Sequence, residues 1–158
     1  MSIEFLDYFC YICEMKIAIC GSLSFSKEMG ETKDTLIKLG FAPQVPFSAV
    51  KILNGEFSQV EIDESKEDGS FYKTAIKNDG IRRWHNVIKE CDAILVLNFD
   101  KKGIKNYIGG NSFLEIGFAY VMDKKIYLLN PIPEVSYKDE IMTMQPIILN
   151  GDLNKIQP

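Results

Sequence analysis

Cys91-Asp92-Ala93-Ile94-Leu95-Val96-Leu97-Asn98 is the stretch that decides the fold. Ala93–Asn98 is apolar on both faces, without the in–out alternation of a strand that keeps one side wet. Such a strand belongs in the middle of a parallel sheet, covered above and below by helices. Working outward, Lys16–Cys20 is a second short apolar run, ended by Gly21-Ser22, and reads as a buried strand followed by a turn. Lys125–Leu129 reads as a third, Phe41–Val45 as a strand closed by Pro46, and Pro146–Leu149 as an edge strand. Helical spacing fills the intervals. Lys27–Leu39 carries Met29, Leu36, Ile37 and Leu39 before a Gly40 stop, and Tyr72–Glu90 is one helix weakened by Gly80. Ser112–Met122 is another, and Tyr137–Thr143 supplies one or two turns. Ser48–Gly69 reads as a long insertion or flexible loop of the kind that lies over active sites. Strands alternating with helices predict an α/β three-layer sandwich around a central parallel sheet, one domain spanning residues 15–158.

The totals narrow the function classes. At 158 residues the chain has room for one full-sized core, and 46% hydrophobic with 25% charged residues is ordinary for a globular protein. A net charge of -4 argues against nucleic-acid binding through a basic face. No apolar run approaches the roughly 20 residues of a membrane helix, so no membrane association is expected. Of the four cysteines, Cys10 and Cys13 have C-x-x-C spacing, but no second pair follows and His85 is the only histidine. A zinc site would therefore need carboxylates or another chain. Cys20 and Cys91 flank apolar runs and read as small buried hydrophobes, in keeping with a reduced, cytoplasmic location. Met1–Glu14 is apolar and aromatic without the features of a signal peptide. It reads as an N-terminal extension ahead of a natural start at Met15, or else as a short helix packed on the surface.

Ligands of open parallel sheets bind beyond the carboxyl ends of the strands. Gly21-Ser22, the segment from Asn98 to Ser112, and Asn130–Glu134 all fall there. The richest is Tyr107-Ile108-Gly109-Gly110-Asn111-Ser112-Phe113-Leu114-Glu115. Paired glycines let backbone amides approach a ligand, and a helix start adds free N–H groups and the positive end of a dipole. Ser112-x-x-Glu115 also has the form of a capping box, in which Ser112 caps the helix and Glu115 reaches back, worth about 1 kcal/mol. The alternative places Glu115 in the first turn as a carboxylate that the dipole keeps ionised, the state a nucleophile at an anomeric carbon needs. Spacing alone leaves both open. Gly21-Ser22 is either a plain tight turn or a weak cradle, being neither G-x-G-x-x-G nor a Walker motif. Asn98 and Asp100 stand as candidates for ligand hydroxyls, Lys101-Lys102 as a solvated loop, and Asp92 as a residue that orients the start of its strand. His85, between Trp84 and Asn86, is either a packing residue or a group at the side of the cleft.

Cys20-Gly21-Ser22, Cys91-Asp92-Ala93-Ile94-Leu95-Val96, the glycine loop with Phe113-Leu114-Glu115-Ile116-Gly117-Phe118-Ala119, and Lys124-Lys125-Ile126-Tyr127 together resemble the nucleoside 2-deoxyribosyltransferase superfamily, which includes the deoxynucleoside 5′-monophosphate N-glycosidases. The resemblance runs from Met15 to about Pro131, and its most specific element is the helix E-[IL]-G-x-A with the preceding glycines. It implies a flavodoxin-like sheet and cleavage or exchange of an N-glycosidic bond through a covalent deoxyribosyl ester on Glu115. It further implies a nucleoside or nucleotide ligand held by Gly21, Ser22, Gly110, Asn111 and Ser112, no cofactor or metal, and assembly as a homo-oligomer, with Asn98 and Gly109 joining the cradle by their place at the carboxyl edge. Two family features are missing. The tyrosine that positions the glutamate is replaced at about Ala18, and the aspartate serving the leaving base is replaced near Trp84-His85. His85 stands in as a possible acid, since histidine titrates close to neutrality. Asp79 would reach in only if the helix breaks at Gly80. A non-catalytic nucleotide sensor that kept the pocket is the rival expectation.

Overall fold

The computed structural model describes residues 14–158. The N-terminal extension and the Cys10-x-x-Cys13 spacing lie outside the described residues. Five strands form one sheet: β1 (Lys16–Gly21), β2 (Ala42–Gln44), β3 (Ala93–Leu97), β4 (Lys125–Leu128) and β5 (Ile147–Ile148). Their order is β2-β1-β3-β4-β5 and every pairing is parallel. This is the flavodoxin-like, doubly wound order, in which the strand order reverses between β1 and β3.

Why Ala93–Leu97 takes the centre follows from its side chains. All five are buried, and the strand's alternate residues feed two separate cores. Leu95 and Leu97, with Ile17 and Ile19 of β1, pack on α1 (Ser26–Lys38) through Met29 and Leu36. Ile94 and Val96, with Ala18 and Cys20, pack on the opposite helices through Ile88, Ile116 and Ile141. Each such buried aliphatic side chain contributes about 1.5–3 kcal/mol, so a polar substitution at any of them forfeits both burial and register. The starts of β1 and β3 are stitched by Asp92, which accepts from Lys16 N–H at 2.7 Å while its own N–H donates to Lys16 C=O at 2.8 Å.

The stretch expected to be an irregular insertion is helical. It folds as α2 (Phe47–Leu53) and α3 (Gln59–Glu67), and α4 (Phe71–Lys77) follows it. α3 begins where Ser58 and Glu61 close a capping box, with Ser58 N–H donating to Glu61 Oε2 at 3.3 Å. The single helix expected over Tyr72–Glu90 is two: α4, then α5 (Gly80–Lys89), separated at Asp79, which sits in the left-handed region at φ +47°. Asp79 pairs at 3.8 Å with Arg82 on the exposed surface and does not turn inward. After β3 come α6 (Gly110–Val121) and α7 (Lys138–Thr143). Among the described residues no helix is long and apolar enough to cross a membrane.

α3 and α4 bury no residue completely, and Val60, Tyr72 and Ile76 lie exposed on them. Elements with so little buried apolar area open at low cost. Hydrogen exchange followed by mass spectrometry should therefore show amides of α3 and α4 exchanging fastest among the helices, and those of β1 and β3 slowest. Equal protection of α3 and β3 would contradict this.

Candidate active site at the carboxyl edge

The site is assembled from the end of β1, the first turns of α6 and the middle of α5. α6 begins at Gly110, two residues earlier than spacing predicts, because Phe113 N–H already donates to Gly109 C=O at 2.9 Å. The N-cap is Gly109, with no side-chain cap. Ser112 thus lies inside the first turn, buried, and Glu115 falls in the second. The capping-box reading of Ser112 and Glu115 is excluded by this geometry.

Glu115 instead turns inward against Cys20 of β1 and Trp84 of α5. The residue is half-buried, but its Oε2 is sealed from solvent and has no hydrogen-bond partner. The Trp84 indole N–H is sealed and unpartnered in the same way. The buried Cys20 thiol lies between them, yet its own hydrogen bond goes to Ala18 C=O at 3.8 Å. Burial pushes the Glu115 carboxyl up to about 8, and the neighbouring thiol offsets this only in part. Burial also raises the Cys20 thiol, as does the adjacent Glu115 charge. The expectation that the helix dipole keeps Glu115 ionised is corrected here. A dipole contributes about 0.3–1 kcal/mol and acts within the first turn, whereas burying an unpaired carboxylate costs several kcal/mol, so burial wins. Burial therefore favours the protonated form of Glu115.

The other residues divide. Gly21 pairs with Leu97 and has φ +153°, and a Cβ there would meet Leu97 C=O at 3.0 Å. The close approach of β1 to β3 accounts for its glycine. Ser22 caps a 3-10 turn, Leu23–Phe25, accepting from Ser24 N–H at 3.3 Å, and also accepts from Lys101 Nζ at 2.8 Å. Asn98, expected to meet ligand hydroxyls, is fully buried and committed to protein. Its Nδ2 donates to Asn130 C=O at 2.9 Å and Pro131 C=O at 3.0 Å, and its Oδ1 accepts from Asn130 N–H at 2.8 Å. Asn98 is a clip between the ends of β3 and β4. Asp100 likewise accepts Asn106 N–H at 2.8 Å and shapes its own loop. At Gly109 a Cβ would lie 2.9 Å from the Tyr107 hydroxyl, so the ring of Tyr107 depends on the glycine. Gly110 and Asn111 are exposed, with open space over Gly110.

His85 packs edge-on against Phe118, 5.0 Å between ring centres, one turn beyond Glu115 on α6. Its Nδ1 lies 3.4 Å from Asn86 Oδ1, so its polar contact is local and does not reach Glu115. Ala18 is wholly buried and offers no polar group to Glu115. Cys20 and Trp84 are the site residues that sequence reasoning missed. The signal was the two-residue period of β1, which puts Cys20 on the α6 side with Ala18. Among the described residues no group of histidines, cysteines and carboxylates could hold a metal ion.

Two clefts lie nearby, and Glu115 lines neither. One of about 690 Å³ opens at the carboxyl edge between Gly103–Asn106 and Asn130–Glu134. The other, about 610 Å³, is an apolar groove between α6 and α7 bordered by Leu114, Gly117 and Val121. Searched against protein-family models and curated proteins, the chain matches none.

A raised carboxyl pKa costs stability wherever the unfolded chain is ionised and the folded one is not. The linkage sign is definite: below about 4.5 both states hold the proton, and from there to about 8 only the folded state does, so stability falls as pH rises across that window. Glu115→Gln should remove the penalty. Its thermal-unfolding advantage over wild type should be small near pH 4.5, grow by about 1 kcal/mol per pH unit, and level off above about 8. A pH-independent difference would refute the buried, neutral carboxyl. Asn98→Ala, which strands buried carbonyl and amide groups, should cost about 2–3 kcal/mol in chemical denaturation at any pH.

Proposed function

We propose that the protein cleaves or exchanges the N-glycosidic bond of a nucleoside or nucleotide, with Glu115 as the nucleophile. The observation that carries this reading is the Glu115 carboxyl itself: its Oε2 is sealed and unpartnered, and it has no structural role as a helix cap. A buried carboxyl that supports nothing is a liability to the fold, and strongly shifted groups of this kind concentrate at reacting centres. Its place supports the same reading, one turn inside a glycine-opened helix start at the carboxyl edge of the sheet. The resemblance of the Gly109–Ala119 stretch to the deoxyribosyltransferase superfamily supplies the substrate class.

In this mechanism Glu115 first gives up its proton and its carboxylate oxygen attacks the anomeric carbon. The bond from that carbon to the base nitrogen breaks, and the base leaves with the bonding pair and takes up a proton from water, which has received the one Glu115 gave up. The resulting glycosyl ester is opened by water or by a second base, which returns the carboxylate. Desolvation makes the carboxylate a stronger nucleophile once formed, at the cost of a proton to be removed beforehand. His85 acts only if it leaves its packed position on Phe118 to meet the leaving base.

The rival reading, a nucleotide sensor without turnover, draws on Ala18 in place of a positioning tyrosine and on the local contact of His85. The decisive measurement is release of free base, by chromatography, from 2′-deoxynucleosides and their 5′-monophosphates. Glu115→Ala should lower release at least about 10³-fold, the scale of losing a nucleophile. The wild-type rate should climb with pH and flatten above about 8, because attack needs the ionised carboxyl. A rate that falls through that pH would make Glu115 an acid instead. Binding without release favours the sensor, and absence of both across the panel eliminates either reading.

A further inference from the structure

α5 and α6 each turn one polar side chain toward β1, Trp84 from the first and Glu115 from the second. The Trp84 indole N–H and Glu115 Oε2 are both sealed from solvent without a hydrogen-bond partner. Of the three side-chain atoms in that condition among the described residues, two therefore fall in this one core. The Cys20 thiol, wholly buried on β1, stands between them within hydrogen-bonding reach of both. Its S–H is spent on a long contact of 3.8 Å to Ala18 C=O.

Packing explains neither orphan. A phenylalanine would fill the place of Trp84 without stranding an N–H, and an unmade buried hydrogen bond is a cost to the fold. The two orphans are complementary, since an indole N–H only donates and an ionised carboxylate only accepts. A carboxylate also draws shorter and stronger bonds from its donors than a neutral acid does. No other charge stands ready to meet it. β3 and β4 present only aliphatic side chains to this core, and Ala18 of β1 has no polar group to give. His85 of α5 is packed on Phe118 with its Nδ1 toward Asn86, and Tyr137 of α7 is packed on Phe113. Arg82 and Arg83 are engaged elsewhere, with Asp79 and over the Phe47 ring, and burial holds the Cys91 thiol up at about 11.

We propose that the Trp84 indole N–H and the Cys20 S–H are the donors that seat the ionised Glu115 carboxylate, with Trp84 the principal positioning residue of the site. When Glu115 gives its proton to water, the S–H turns from Ala18 C=O and the indole closes on Oε2. Oε1 is then the oxygen left for attack. The assignment deepens the nucleophile reading, and its kinetic test alone rests on that reading.

Trp84 is the chain's one tryptophan, so the fluorescence of the full chain reports on this indole alone. Wild-type emission should change on alkaline titration with a midpoint of about 8, and Glu115→Gln should abolish the transition. A wild type without the transition, or a transition that survives in Glu115→Gln and so belongs to His85 or another group, overturns the pairing. Trp84→Phe keeps a ring and removes the donor. In that background, the pH at which Glu115→Gln stops gaining thermal stability should rise by about one unit, the loss of one hydrogen bond to a charged group. Cys20→Ala should raise it as well, and Cys20→Ser, which restores a donor, should not. A uniform loss of stability with the plateau unmoved would make Trp84 a packing residue only. Circular dichroism checks each fold, and the comparison of wild type with Glu115→Gln stands if a core variant unfolds. In base release, Trp84→Phe should lose about tenfold in kcat with KM unchanged. A Glu115-dependent transition without base release from any nucleoside or nucleotide would overturn the glycosidic reading alone. Base release without that transition would overturn the donor assignment alone.

Discussion

The pairing of β1 with β3 is the constraint on which the rest of the molecule depends. From Ile17 opposite Ala93 to Gly21 opposite Leu97, the two strands bury nearly every side chain they carry, alternately toward α1 and toward α5 and α6. A shift of one residue would exchange the two cores wholesale. At the far end the approach is so close that only glycine fits opposite Leu97. The chain then diverges, β1 into the serine turn and β3 into the Lys101 loop. The gap between those exits is where Lys101 meets Ser22 and Ser24 and where, one layer away, Glu115 is found. The register of two strands thus fixes the spacing of the chemical groups.

Apolar runs carry their own structural meaning, so the order of strands and helices was legible before any coordinate. What the sequence did not disclose is instructive because the same pattern occurs twice. Ser58-x-x-Glu61 and Ser112-x-x-Glu115 are both capping boxes on paper. The first closes one and starts a helix inside a stretch that reads as an acidic loop. The second does not, because two glycines let α6 begin earlier and carry Glu115 around to the sheet. The difference lies in the residues before the serine and in what the helix packs against, and the second of these is tertiary. Asn98 failed as a ligand candidate for a related reason: an amide at a strand end serves a ligand or a neighbouring strand equally well in one dimension. Lys101 was undervalued because its partners, Ser22 and Ser24, lie 79 and 77 residues away.

Glu115 shows how the fold sets charge against burial. Glu115 lies beyond the first turn of α6, out of the dipole's reach, and the wall made by Cys20 and Trp84 excludes the water that ionisation needs. The protein therefore holds a carboxyl in a form that contributes little to folding and is released only when its surroundings change. The Lys101 ammonium is the reverse case, a positive charge drawn between the Ser22 and Ser24 hydroxyls. Both are local departures from the consistency that rules the rest of the chain, and both sit at the same edge of the sheet.

The Asn98 clip has a consequence for how this edge can change. By bonding to Asn130 and Pro131, it anchors two surface loops to a single post at the level of the sheet. Insertions or substitutions above that post alter the rim of the cleft without disturbing the strands below. The loops can be retailored independently of the foundation, so a new ligand size or shape is accessible to this scaffold without a new core.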